Sequence, residues 1–118
     1  MQVRNLERDA EPFITADGST IREILNVIHP PTAQQSLAEA SLPAGGTTVR
    51  HHHRVAEEIY FILEGTATME LDGETREVGP GDGILIPPGA WHQITAHEPL
   101  RLLCCCAPPY RHEDTYFA

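Results

Sequence analysis

The segment Arg50-His51-His52-His53-Arg54 is where this sequence offers chemistry most openly. In an extended strand alternate side chains share a face, so His51 and His53 project together and His52 goes to the other side. Two imidazoles at that spacing can hold one metal ion. A carboxylate follows a short loop later, at Glu57 or Glu58. A further histidine, His92, stands downstream of the turn Pro87-Pro88-Gly89. If the strand that begins at Glu58 lies antiparallel beside the first, Glu58 faces the same interior. Three imidazoles and one carboxylate make a mixed nitrogen and oxygen donor set. Such a set suits Fe, Mn, Ni, Zn, Co or Cu better than Ca or Mg. Four protein donors leave one or two coordination positions open, as reactive sites do.

Positioning such a set requires strands, and the sequence supplies them. Turn signals are dense: Asp17-Gly18, Pro43-Ala44-Gly45-Gly46, Asp72-Gly73, Gly79-Pro80-Gly81-Asp82-Gly83 and Pro87-Pro88-Gly89. Short apolar runs between frequent turns point to an all-β domain, and ten prolines oppose long helices. Strands are expected at 36–42, 49–53, 58–63, 66–71, 74–78, 83–86, 92–95 and 100–106. The segment 20–27 fits a strand or a helical face and is taken as strand, while 108–118 reads as an extended tail. Asp72-Gly73 favours a two-residue hairpin. Many short strands in 118 residues point to one domain, closed as a barrel or jelly roll so that no long edge is left exposed.

Composition narrows the partners. The formal net charge is −9, all eight basic residues are Arg, and none is Lys. An acidic surface with scattered Arg argues against nucleic acid and against an anionic membrane. No stretch approaches the roughly 18 apolar residues of a membrane span, and the polar start, Met1–Ala10, does not read as a secretory signal. A cytoplasmic location is expected. Cys104, Cys105 and Cys106 are adjacent and form no disulfide framework.

The spacing Gly45-(five)-His51-x-His53-(four)-Glu58-(six)-Gly65 resembles the first conserved motif of the cupin superfamily. Gly81-(five)-Pro87-x-Gly89-(two)-His92 resembles the second. The motifs stand in the family order, about 15 residues apart, and span Gly45 to about Ala96, the central half of the chain. The resemblance implies a one-domain cupin, a double-stranded β-helix or jelly-roll barrel over residues 1–118. It assigns the metal-ligand role to His51, His53, Glu58 and His92, and its six-residue spacing to Gly65 selects Glu58 over Glu57. The glycines and Pro87 then make the tight corners that aim the ligands inward. One departure exists: the second motif usually ends in Asn, and Ala96 stands there, which puts a local turn contact in doubt. The resemblance also implies a homodimer.

Parity from Glu58 places Tyr60 and Ile62 on its face, and parity from His92 adds Ile94. Ala67, Met69 and Leu71 point inward. Tyr60 is the candidate catalytic residue, able to hydrogen-bond a bound ligand. Cys104 and Cys106 share one face near the pocket, with Cys105 on the other. Arg50, His52, Arg54 and Trp91 face outward, and His29, His97 and His112 lie on the surface. The expected activity is that of a small dioxygenase-type enzyme acting on a compact organic substrate. An isomerase, epimerase or decarboxylase is the alternative, as is a non-catalytic small-molecule-binding protein. For a sugar-phosphate substrate the sequence offers only Arg22 as a cationic anchor.

Overall fold

Alternation of apolar and polar residues builds the interior of this chain, and the computed structural model describes it over residues 1–118. A one-turn helix, α1 (Leu6–Asp9), precedes eleven strands. These are β1 (Pro12–Ile14), β2 (Thr20–Leu25), β3 (Ser36–Leu42), β4 (His51–His53), β5 (Glu57–Glu64), β6 (Ala67–Leu71), β7 (Glu74–Val78), β8 (Gly83–Ile86), β9 (His92–Ala96), β10 (Leu100–Ala107) and β11 (Thr115–Phe117). They form two antiparallel sheets, ordered β1-β2-β3-β10-β5-β8 and β11-β4-β9-β6-β7. The sheets face each other as a jelly roll, and the buried core of Leu42, Ile62, Met69, Ile86, Ile94, Leu102 and their neighbours lies between them. No helix is long and apolar enough to cross a membrane.

The eight strands expected from the sequence are all present. In β5 the residues Glu58, Tyr60 and Ile62 are buried while Glu57, Ile59 and Phe61 are exposed, which is the period-2 pattern of a strand with one wet face. The hairpin β6–β7 closes through Asp72-Gly73 with Leu71 opposite Glu74. Both turn residues have positive φ, 47° and 90°, the geometry that matches the twist of the flanking strands. Gly65 leaves β5 at φ +85°, and a Cβ there would lie 2.3 Å from the carbonyl oxygen of Pro99.

Three expectations need correction. The 20–27 segment ends as a strand at Leu25, because Asn26 starts a turn whose carbonyl accepts from His29 N–H at 2.7 Å. The strand of Glu58 does not pair beside β4: it belongs to the opposite sheet and faces β4 across the interior. The last segment, 108–118, is not simply an extended tail but packs back onto the barrel. A 3-10 turn, His112–Asp114, leads into β11, which pairs with β4 so that Thr115 lies opposite His53 and Phe117 opposite His51. Asp114 explains the anchoring, since its carboxylate accepts from the N–H groups of Arg54, Val55 and Ala56. At Ala96 the backbone is bonded in both directions: Gly45 N–H donates to Ala96 O, and Ala96 N–H to Gly46 O, each at 2.8 Å.

Candidate metal centre

Strand β4 is only three residues long, yet both its edges are paired, to β11 and to β9. His51 is the cross-strand partner of His92. Gly89, in the turn before β9, donates its N–H to His53 O at 2.6 Å and so ties the second motif to the first. The sequence alternation then decides orientation: His51 and His53 are buried, and His52 turns outward against Trp91 and Tyr116.

Backbone carbonyls fix the rings. His51 Nδ1 lies 2.7 Å from Val49 O, and His92 Nδ1 lies 3.0 Å from Ala90 O. His53 Nδ1 lies 3.3 Å from Asp114 O and from Thr115 Oγ1. A proton on each Nδ1 satisfies these acceptors and leaves the three Nε2 lone pairs directed inward. One ligating atom from each of His51, His53 and His92 falls within 4.8 Å of the others. Glu58 reaches in from the other sheet, its Oε1 at 3.5 Å from both His53 Nε2 and His92 Nε2. Its Oε2 accepts from the Cys106 thiol at 3.4 Å.

A cation fits this arrangement on internal evidence. Glu58 Oε1 and His92 Nε2 are buried and have no hydrogen-bond partner, and burial without a partner is costly. Two acceptors facing each other across 3.5 Å are satisfied together by a positive ion. Electrostatics agrees. Against burial, protonated His53 and His92 hold the Glu58 carboxyl at about 2, so the site carries a negative charge that either protons or a cation on these imidazoles must balance. Burial and the neighbouring His92 lower His51, which keeps it neutral and able to ligate.

The centre opens on a cavity lined by residues of both sheets and of the loop before β2. Its wall is mostly apolar, with Ile21, Leu42, Ile94, Leu102 and Tyr110 among its residues. Tyr60 lines it as expected, its ring 6.1 Å from that of His92. Burial and the Glu58 charge push its phenol well above the ordinary range, so it is a neutral donor. Cys104 and Cys106 line the cavity, and Cys105 does not. Arg22 does not reach it, because its guanidinium pairs with Glu7 outside at 3.0 Å, while its neighbours Ile21 and Glu23 line the wall. No Lys or Arg lines the cavity, whereas Asp17, Glu23 and Glu58 do. Sequence reasoning missed Asp17 and Glu23. The remaining sequence-expected positions are as read: Glu57 and His97 are exposed, and Arg50 and Arg54 stack over Trp91 and Tyr116 on the outer face.

Comparison with known proteins agrees with this geometry. The cupin domain model matches residues 38–106. An uncharacterized protein of Methanocaldococcus jannaschii, MJ1618, is 49% identical over 118 residues, covering 98% of this chain and 94% of its own length. Dimethylsulfoniopropionate lyase DddQ of Ruegeria pomeroyi is 41% identical over 71 residues, which cover 58% of this chain but only 35% of DddQ. Among solved structures, the Streptomyces protein Pac13, a nucleoside dehydratase, superposes with a TM-score of 0.83 at 16% identity, over 100% of this chain and 91% of its own. At that identity the likeness is one of fold. By its motifs, its barrel and the match to the domain model, this chain belongs to the cupin family.

Proposed function

We propose that the protein is a metal-dependent enzyme that holds one divalent transition metal through His51, His53, Glu58 and His92. One observation carries this reading: three inward Nε2 atoms and a buried, partnerless carboxylate oxygen converge at the end of an apolar cavity. The metal would supply Lewis acidity or, as iron or copper, redox chemistry. The chain's own residues orient the substrate and exclude water. Tyr60 offers a neutral hydroxyl at the cavity wall, and the apolar side chains fit a compact organic molecule. Oxygenase chemistry on such a substrate is the first reading. Elemental analysis of tag-free protein tests the centre: near one equivalent of metal is expected, lost in His51→Ala/His92→Ala. Oxygen consumption by the iron-loaded protein with diketone, thiol or catechol-like substrates tests the reaction. No consumption with any of them removes the oxygenase reading.

A second reading, elimination or isomerisation, is supported by the carboxylate of Asp17 lining the cavity, a group that can take a proton, with the neutral Tyr60 hydroxyl as a hydrogen-bond donor. A phosphorylated sugar is a poor fit to either reading, since no cation lines the wall to pair with phosphate.

The protein is further proposed to work as a homodimer. Leu85, Ile59, Cys105 and Leu37 are successive cross-strand partners and form one apolar row on the outer face of the larger sheet. Phe61 is their neighbour. Leu85 is 54% exposed, Ile59 44% and Phe61 43%. A row of this kind suits a two-fold contact in which the same patch meets itself. Light scattering should give twice 13.0 kDa, and Leu85→Arg/Phe61→Arg should give the single mass; a wild-type monomer overturns the pairing.

A further inference from the structure

The loop joining β1 to β2, Thr15–Ser19, lines the cavity and brings Asp17 beside His51. Three donors converge on one oxygen of its carboxylate: Thr15 Oγ1 at 2.6 Å, Ser19 N–H at 2.8 Å and Ser19 Oγ at 2.6 Å, all to Oδ1. The loop itself is pinned, because Val49 N–H donates to Asp17 O at 2.8 Å. The other oxygen, Oδ2, has no donor from the chain. It points at His51 Nε2, 3.9 Å away. The His51 proton sits on Nδ1, against Val49 O, so Nε2 cannot donate to it. A carboxylate oxygen and an imidazole lone pair therefore face each other with nothing of the protein between them. Two acceptors so placed are reconciled either by a cation bound to both or by a cation on Nε2 whose further ligand carries a hydrogen to Oδ2.

We propose that Asp17 is a positioning residue of the metal centre: its Oδ2 accepts a hydrogen bond from the small molecule that completes the site on the cavity side. The centre then favours water, an alcohol or an amine, which carry a hydrogen, over anions that carry none. This inference rests on the metal-binding reading above. It adds, beside the four ligands, an acceptor that is not itself a ligand. The asymmetry of the carboxylate is what argues for it. A loop that needed Asp17 only for its own turn would be served by Oδ1, whereas Oδ2 is held at a fixed aim by the three bonds on its twin.

Asp17→Asn separates the two roles. The amide keeps an oxygen for Thr15 and Ser19, loses the negative charge, and places a donor where Oδ2 stood. Cobalt-loaded protein is titrated with azide, an anion without hydrogen, and followed by visible absorption. Removing a charge this close to the bound anion should tighten azide binding at least tenfold, with the cobalt dissociation constant within threefold of wild type. Azide affinity within twofold of wild type overturns the proposal. So does a more than thirtyfold loss of cobalt, which would make Asp17 a ligand in its own right. Asp17→Ser, which also removes the charge and retains a turn-forming hydroxyl, gives the same reading if the Asn variant does not fold. Wild-type protein that binds no cobalt fails the metal reading itself, a result distinct from wild-type cobalt binding with an unaltered azide response.

Discussion

At the scale of the residue, the centre is a contest between protons and a cation for the same lone pairs. His53 takes a proton more readily than an ordinary histidine. Burial lowers its pKa, but the Glu58 carboxylate outweighs burial and raises it above the ordinary histidine value. Metal affinity is therefore full well above pH 6.5 and falls as pH drops through that range. Zinc or cobalt titrations between pH 8 and 5 check this, and a flat profile contradicts the ligand assignment. His51, His53, Glu58 and His92 were legible in the sequence because strand parity and motif spacing fix which way each one points. Asp17 was not. Asp-Gly is an ordinary turn pair, and nothing in it announces that one oxygen will be held by Thr15 and Ser19 while the other is aimed at His51. Only the flanking hydroxyl residues could have raised the question.

At the scale of the element, the centre depends on strands that pattern reading undervalued. The run Thr115-Tyr116-Phe117 has the residue types of a strand, but it is three residues long and follows the charged segment Arg111-His112-Glu113-Asp114. Its partner is set by tertiary pairing with β4, which no local signal encodes. The same holds for β5, whose interior face was read correctly from alternation while its sheet was not. Asp114→Ala removes the acceptor for three backbone N–H groups between β4 and β5. It should cost about 1–3 kcal/mol, seen as a lower urea midpoint, and weaken metal binding only indirectly, by loosening the backbone that carries the Asp114 carbonyl beside His53. Gly65→Ala should cost about as much or more. It combines positive φ with a 2.3 Å approach to Pro99 O, strain of about 1–3 kcal/mol before any clash.

At the scale of the whole molecule, the two sheets meet at the proposed metal centre, with three imidazoles on one and Glu58 on the other. A bound ion thus cross-links the halves of the barrel and stabilises only the folded chain. At a free metal concentration of 100 times the dissociation constant the gain is about 2.7 kcal/mol. For a domain of this size that raises the melting temperature by roughly 10 °C. Thermal melts with and without EDTA check it, and no difference contradicts a shared centre. The three-residue strand β4 has one more consequence. Side chains on a strand have only two parities. A slip of one position would send His51 and His53 outward and bring in His52 alone. Two of the imidazoles would vanish at once, with no half-formed state between. The donor set is in effect a parity bit for the β-register: a chain that has closed its barrel one residue out of step cannot load the ion, and so cannot pass for the native one.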